Sequence, residues 1–450
     1  MTCCPAFQYI VLSRFFLAIN QLRTYDLQER FGWERILVWE GENMKILLAT
    51  YWLIPHVGGV WKYMTQLKEW LEARGHEVDL LGNSPDYSKY HVLNRGWELP
   101  KDLLQPLLDA KLTPGSAPAL FASPLIAHYE MDRYYLELAA AYFDLNQYDI
   151  IDTQDIFAAR ALSRVKPRHI PLVAHVHGSV SAELKRFFQL NPQVGVTEKD
   201  PAWKYFESIE FYGALSGTPT ITANQWMKNL LVHELGVSNP NIEVIQYGVD
   251  AGAFWNKMSQ GTTITKPAGK KVIICPARLS FVKGVDVLIS ALGILRSLRN
   301  DWVCWIVGAG DKREELEQQV RGLTLQNDCF FFGEREDVPG LLALSDIFVH
   351  SCIQDNQPFS VMEAQLAGVP VCLSNACGLP EMAKHGRTGL IHPVKDPVVL
   401  SEHLQLLLQN EPLRLKIARE AKNWANSHWS MEVMISRLLG VYHKALNLNY

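Results

Sequence analysis

From Met44 to the end of the chain, short apolar runs alternate with stretches whose apolar residues recur at helical spacing. This alternation is typical of parallel α/β units, in which each strand is followed by a helix that covers the sheet. In the first half, a helix is predicted over 60–75. Residues 83–145 follow the pattern less regularly and contain a helical piece near 132–143. The strands predicted in this half are 45–50, 77–82, 148–155, 171–178, 218–224 and 242–250.

A second α/β series follows a polar, turn-forming stretch at 255–270, which is typical of a linker. Helices are predicted over 285–298 and around 314–322, and a final amphipathic helix over 429–446. The remaining segments of the series are 271–277, 301–310, 329–334, 338–352, 368–374 and 388–393.

The two series predict an α/β protein with two Rossmann-like domains that face a cleft, where the carboxyl ends of parallel strands bind ligands. We expect the first domain to cover 44–254, the linker 255–270, the second domain 271–428, and the last helix to lie within 429–450. The length of 450 residues agrees with two domains, because one hydrophobic core seldom serves so long a chain.

Residues 1–43 differ in pattern from the rest of the chain, and we predict that they are an extension that is not native. Met44 opens MKILLAT, a buried-strand pattern that suits the start of a protein. The codons of the preceding WEGEN would be purine-rich, as a bacterial ribosome-binding site is. The alternative is a real amphipathic arm. N-terminal sequencing of protein from the native host distinguishes the two, since a peptide from residues 5–40 would refute the prediction that the segment is not native.

Composition and charge narrow the class of protein. With 48% hydrophobic and 20% charged residues, the chain is typical of a soluble globular protein. The net charge of −4 gives no overall attraction to nucleic acid, so no nucleic-acid partner is predicted. The eight cysteines contain no C-x-x-C pair, which favours buried free thiols and a cytoplasmic location. No apolar run reaches 18 residues, so we expect at most a peripheral membrane association.

Two groups of charged residues carry the candidate chemistry. Arg278 and Lys283 lie in PARLSFVKG, between a predicted strand and a predicted helix. Two cations aimed at one point can neutralise a departing nucleoside diphosphate without a metal. Asp355 and Glu363 come later in the chain, and such acids suit the hydroxyl groups of a sugar and a ribose. Solvated surface charges are the alternative for each group, but together they favour a nucleotide-sugar site.

In order along the chain, these motifs resemble the retaining glycosyltransferases of family 4, which have the two-domain B-type fold. The family opens with a strand, a Gly-Gly turn and a helix that ends in R-G-H-E-V, here residues 45–78. Its arginine–lysine motif stands as ARLSFVKG, and its paired acids with seven residues between them stand as Asp355 and Glu363. Its later elements stand as GVPV, GLPE and TGLIHP. The resemblance covers nearly everything from Met44 onward and implies that the last helix crosses back to the first domain.

The resemblance implies a phosphate site. Arg278 and Lys283 would hold the diphosphate and stabilise it as it leaves. Gly58 and Gly59 would contact phosphate and sugar, which agrees with their place before a helix, where free N–H groups and the dipole favour an anion. Arg335, after the strand around CFFF, matches the position at which the family reads the nucleotide base.

It also implies a sugar and ribose site. Asp355, where the family usually has glutamate, would contact the transferred sugar, and Glu363 would accept hydrogen bonds from the ribose. His177 matches a histidine near the anomeric carbon, whereas His175, on the same face of its strand, is interpreted as structural. Four residues replace the family's more frequent glycine–phenylalanine turn in the donor site: Asn356, Gln357, Pro358 and Phe359.

These assignments predict a retaining transferase that moves a hexose-type sugar from a UDP- or GDP-linked donor, without a metal or cofactor. The acceptor stays open between a glycan, a small molecule and a lipid-linked compound. Residues near the first glycine turn would line its site or belong to the core: Trp52, Leu53, Ile54 and Trp61. The alternatives are a catalytically inactive scaffold, because of Asp355, a sugar-nucleotide epimerase of the same fold, and an NAD-dependent dehydrogenase that rests on VGAGD (307–311) alone.

Overall fold

The structure is a computed structural model that describes residues 22–24, 37–39, 43–56, 58–238 and 241–448. Two short strands, β1 (Leu22–Thr24) and β2 (Leu37–Trp39), pair antiparallel. Apart from these two strands and residue 43, the segment 1–43, predicted to be an extension, lies outside the described residues.

The first domain contains an eight-stranded sheet in the order β10-β9-β8-β7-β3-β4-β5-β6. Its strands are β3 (Lys45–Leu53), β4 (Glu77–Asn83), β5 (Lys89–Val92), β6 (Trp97–Pro100), β7 (Ile150–Thr153), β8 (Leu172–Val176), β9 (Thr220–Thr222) and β10 (Ile242–Val244). Its helices are α1 (Gly59–Glu72), α2 (Lys101–Lys111), α3 (Pro124–Tyr142), α4 (Ile156–Val165), α5 (Val180–Leu190), α6 (Pro201–Leu215), α7 (Gln225–Asn229) and α8 (Ala251–Ser259). All pairings from β10 to β4 are parallel, and β5 and β6 add an antiparallel edge.

The second domain contains a six-stranded, fully parallel sheet in the order β13-β12-β11-β14-β15-β16. Its strands are β11 (Lys271–Pro276), β12 (Trp302–Val307), β13 (Cys329–Phe331), β14 (Ile347–His350), β15 (Val371–Ser374) and β16 (Leu390–His392). The helices of this half of the chain are α9 (Val285–Leu298), α10 (Arg313–Gly322), α11 (Val338–Ala343), α12 (Phe359–Ala367), α13 (Pro397–Gln409), α14 (Glu411–His428) and α15 (Met431–Leu448). The predicted fold class, two Rossmann-like α/β domains, is confirmed.

Burial on both faces explains why the strands read as nearly continuous apolar runs. Along β11, Val272 and Ile274 belong to one buried cluster, and Ile273 and Cys275 belong to another on the opposite face. The first of these clusters also contains Ile46 of β3, so one core continues through both domains.

The segment 83–145 is more regular than its sequence indicates. The antiparallel strands β5 and β6 replace the strand–helix alternation there, and α3 begins at Pro124, eight residues before the predicted helical piece. The segment 338–352 contains two elements, α11 and β14. The first residues of the predicted linker 255–270 belong to α8, whose Phe254 is buried.

The last helix, α15, packs on the first domain. The Tyr442 hydroxyl donates to Asp152, and Tyr63 of α1 contacts the sulfur of Met434 at 3.7 Å. The start of α15 lies beside the segment in which the chain leaves the first domain. The N–H of Val249 in that segment donates to the carbonyl of Trp429 at 2.9 Å. Within the described residues, no helix is both long and apolar enough to cross a membrane.

Candidate active site

The carboxyl ends of the two sheets face each other across a pocket, as expected for strands of parallel sheets. From the first domain it is lined by His177, Gly178, Ser179, Glu183 and Trp226. From the second domain it is lined by Arg278, Val282, Lys283, Gln354, Asp355, Asn356 and Cys377. The structure thus brings together five predicted site residues from three separate segments of the sequence: His177, Arg278, Lys283, Asp355 and Asn356.

The loop that carries Arg278 is held by backbone contacts at the end of β11. The N–H of Ala277 donates to Val307 at 2.9 Å, and the N–H of Leu279 donates to Ala309 at 2.8 Å. Gly308 has φ of 139°, and a Cβ there would lie 2.1 Å from the Ala277 carbonyl oxygen. Gly308, the first glycine of VGAGD, is therefore required by this close approach of two loops.

Arg278 is exposed at the tip of this loop. Its side chain makes no hydrogen bond or ion pair among the described residues. A fixed backbone with an uncommitted guanidinium suits the binding of an anionic group that enters the pocket.

Lys283 and Asp355 form an ion pair, with Nζ 2.5 Å from Oδ2. They meet because β11 and β14 are neighbours in the sheet, and each residue follows the carboxyl end of its strand. The same Oδ2 lies 2.8 Å from Nε2 of His350. Burial alone would raise the pKa of Asp355, but Lys283 and His350 outweigh it and hold the pKa well below its usual range. Burial acts to lower the pKa of Lys283, but Asp355 raises it above the usual value.

The side chain of His177 is held on both ring nitrogens. Nε2 lies 3.0 Å from Oε1 of Gln154, and Nδ1 lies 2.5 Å from the Tyr247 hydroxyl. Since Gln154 donates its amide N–H to Asp152 at 2.9 Å, its oxygen faces the ring and accepts from Nε2. Burial, and then His175, lower the pKa of His177 well below its usual value, so the imidazole is neutral.

His175 belongs to a buried network behind the pocket. Its Nδ1 is 2.7 Å from Asp152, and its ring is stacked parallel to that of His177 with centroids 5.6 Å apart. The expected common face of the two histidines is confirmed, and the contacts of His175 are structural.

Asn356 and Gln357, predicted in the donor site, direct their side chains at the first domain. Asn356 donates to the His177 carbonyl at 2.8 Å and accepts from Asn224 at 2.7 Å. The oxygen of Gln357 accepts from the N–H of Tyr247 at 3.0 Å. Their amides therefore join the two domains at the pocket, although Asn356 also lines it.

Pro358 precedes α12, and Phe359 opens it, stacked on Tyr247 with ring centroids 5.7 Å apart. One turn further, the carboxylate of Glu363 forms an ion pair with Lys62 of α1. Phe359 and Glu363 thus contact the opposite domain as well, and they do not line the pocket around Lys283.

Gly58 and Gly59 are exposed at the start of α1, which has no acidic residue in its first turn. His56 lies against this turn, because a Cβ on Gly58 would be 2.7 Å from its Nε2. Burial, and then the charge of Arg278, lower the pKa of His56. The charge of Arg278 thus reaches His56 beside the glycine turn, and the first N–H groups of a helix, which have no partner within it, are of the kind that bind phosphate.

Arg335 lies elsewhere on the second domain. It pairs with Asp337 through two hydrogen bonds, Nε at 2.7 Å and the other nitrogen at 2.6 Å. It does not line the pocket. Its contact with the base stays a prediction.

The residues considered for the acceptor separate into two groups. Ile54 is fully buried in the core. The others are half-buried: Trp52, Leu53 and Trp61. Trp52 packs edge-on against Tyr51, with ring centroids 5.1 Å apart.

Three residues that form contacts between the domains were not foreseen from the sequence: Asn224, Glu381 and Lys62. Glu381 of GLPE accepts hydrogen bonds from the N–H groups of Gln225 and Trp226 at 3.0 and 2.7 Å, which caps α7 of the other domain. Asn224 could have been found as a polar residue that ends a predicted strand. Lys62 gave no signal, because a lysine on a helix is usually solvated.

His350, Cys352 and Asp355 place possible metal-ligand atoms within 4.8 Å of one another. The Lys283 ammonium already pairs with the Asp355 oxygen that a cation would need. This carboxylate oxygen is therefore already paired with a cation of the protein.

Both domains match family models. Residues 57–252 match the model described as Glycosyltransferase Family 4, and residues 262–424 match Glycosyl transferases group 1. The chain is 23% identical to an uncharacterized glycosyltransferase of Methanocaldococcus jannaschii, over 90% of this chain and 99% of that protein. It is 22% identical to N-acetyl-alpha-D-glucosaminyl L-malate synthase of Bacillus anthracis, over 90% and 98%.

Solved structures share the fold. Sucrose-phosphate synthase from Thermosynechococcus elongatus superposes with a TM-score of 0.69 at 15% identity, over 90% of this chain and 100% of that one. Anabaena HepE in complex with UDP-glucose gives a TM-score of 0.63 at 20% identity, over 88% and 100%. With its two facing Rossmann-like domains and a matching family model on each of them, the chain belongs to the family 4 glycosyltransferases and is an enzyme of that kind.

Proposed function

We propose that the protein is a retaining hexosyltransferase that uses a nucleoside-diphosphate sugar, linked to UDP or GDP. The observation that carries the proposal is the pocket between the domains, where the uncommitted Arg278 stands beside the Lys283–Asp355 pair. Cations that are fixed before the substrate arrives stabilise charge that develops as the diphosphate departs.

In the proposed reaction, the bond between C1 of the sugar and the β-phosphate oxygen breaks, and its electron pair leaves with the diphosphate. Arg278 and Lys283 neutralise that charge. The acceptor hydroxyl oxygen forms the new bond to C1 on the same face, and its proton passes to a phosphate oxygen. The neutral, doubly held imidazole of His177 then acts by position near C1 rather than as a base.

Names of relatives support both donor bases. A Mycobacterium tuberculosis relative, 24% identical over 210 residues, is a GDP-mannose-dependent mannosyltransferase. An Escherichia coli relative, 28% identical over 260 residues, is a UDP-Gal-dependent galactosyltransferase. A hexose donor is the property common to them.

The acceptor would approach along the wall that the first domain contributes. There Glu183 is exposed and makes no ion pair within the described ranges, and Trp226 lines the same pocket. A carboxylate and an aromatic ring suit a hydroxyl-bearing acceptor, which includes glycans, small molecules and lipid-linked sugars.

A panel of UDP- and GDP-sugars tests the proposal by thermal shift, followed by transfer assays with the sugars that stabilise the protein. A donor at about 100 times its dissociation constant should stabilise it by about 2.7 kcal/mol. NMR of the product should show the anomeric configuration of the donor retained. Binding without hydrolysis or transfer would favour an inactive scaffold, and a changed sugar nucleotide without acceptor would favour an epimerase.

A further inference from the structure

Lys62 joins the two domains at a point that the proposed mechanism does not use. It lies in the first turn of α1, and its ammonium pairs with the carboxylate of Glu363 in α12. The same ammonium lies over the ring of Phe359, 5.0 Å from its centroid. The Glu363 side chain is 13% exposed and that of Lys62 41%, so the acid is the more buried partner of the pair.

Glu363 is also the acid expected to accept hydrogen bonds from the ribose of the donor. A carboxylate that binds an ammonium cannot at the same time present that oxygen to a ribose hydroxyl. The carboxylate expected to bind the ribose is thus already paired with a side chain of the opposite domain.

We propose, on the basis of the proposed function, that Lys62 competes with the donor ribose for Glu363. The ion pair occupies the Glu363 carboxylate while no donor is present, and the entering nucleoside replaces the ammonium. Lys62 thereby lowers the affinity for the nucleoside.

Other contacts would hold the domains together when Lys62 is removed. Asn356 binds the His177 carbonyl, Gln357 binds the N–H of Tyr247, and Glu381 caps α7. A Lys62 variant should therefore keep its fold and its pocket. Its effect on binding then reports the competition for Glu363 alone and not a change in how the domains close.

The test measures binding of UDP, GDP, uridine and guanosine by calorimetry to the wild type, Lys62→Met, Glu363→Gln and the double variant. Lys62→Met should bind roughly twofold to fivefold more tightly, the range expected when a partly exposed ion pair no longer competes. The gain should be absent when Lys62→Met is added to Glu363→Gln. Lys68→Met is the matched control, because Lys68 lies on the same helix but pairs with Glu72 within it.

Salt gives a second measurement. The affinity of the wild type for an uncharged nucleoside should rise with salt, because screening weakens the ion pair. The affinity of Lys62→Met should not rise.

Unchanged or weaker nucleotide binding by Lys62→Met would overturn the competition, and weaker binding would make Lys62 a ligand of the donor instead. A gain that persists in the Glu363→Gln background would also overturn it. Either result leaves the proposed function standing, since nucleotides still bind. Absence of nucleotide binding in every variant, including Lys62→Met with its freed carboxylate, would overturn both.

Discussion

Arg278→Ala should separate catalysis from stability more cleanly than any other change at the pocket. The Arg278 side chain is exposed and uncommitted among the described residues, so its removal leaves no partner without a contact. Lys283→Ala is the matched comparison, because Lys283 contributes the second proposed phosphate cation but also compensates the carboxylate of Asp355.

The expected magnitudes come from these environments. A surface substitution usually changes the free energy of unfolding by less than about 0.5 kcal/mol. Loss of one partner of a buried ion pair costs about 3–5 kcal/mol. Since the Lys283 and Asp355 side chains are 20% and 16% exposed, the lower end applies. About 3 kcal/mol should lower the thermal midpoint of a domain of this size by roughly 6–12 °C.

Both variants should lose sugar transfer. Removing one charge-assisted contact to the leaving group costs roughly 2.7–4 kcal/mol of transition-state stabilisation, about a hundredfold to a thousandfold in rate. Transfer from a saturating donor, measured by release of nucleoside diphosphate, gives kcat, and differential scanning fluorimetry gives the midpoint.

Full transfer by Arg278→Ala would refute the assignment of Arg278 to the leaving group. An Arg278→Ala variant with a midpoint many degrees lower would show that the guanidinium has a structural partner. An unchanged midpoint for Lys283→Ala would show that the ion pair contributes nothing to the fold.

Three further predictions concern Asp355 and the contacts between the two domains. Because the pKa of Asp355 is held below its usual value, its ion pair should stabilise the fold above about pH 4 and lose that effect as the pH falls towards the lowered pKa. The wild type should then lose more stability on acidification than Asp355→Asn. Parallel profiles of stability against pH for the two proteins would contradict this. Gly378→Ala would place a Cβ 2.1 Å from the Asn224 amide of the other domain, so its midpoint and transfer rate should both fall, whereas Gly322→Ala, whose Cβ meets nothing within 4 Å, should leave them unchanged. Glu381→Gln removes a charged cap from α7 and should cost about 1 kcal/mol in urea unfolding, a loss that equal midpoints would exclude.

The sequence is sufficient to predict the fold because its parallel strands are buried on both faces. β12 shows this well, since all six of its residues are buried and its run WVCWIV is apolar throughout. The antiparallel strands β5 and β6 were not predicted, because each has only four residues and carries polar residues that resemble a loop.

The sequence also places Arg278, Lys283, Asp355 and His177 at one site, since each follows a parallel strand and such ends converge. It could not show that Asn356 and Gln357 direct their amides to the other domain. That outcome depends on the distance between the domains, which no local pattern records. The ion pair of Lys62 with Glu363 escapes prediction for the same reason.

The two passages of the chain between the domains lie side by side, and this limits how the cleft can open. Val249 forms a bridge with Ser430, and a Cβ on Gly248 would lie only 2.4 Å from the Cα of Met431. Two chain segments in such contact act as a hinge. They allow the two domains to swing apart, but they resist sliding or rotation of one domain over the other. Substrates would then enter and leave along the edge of the cleft opposite this hinge.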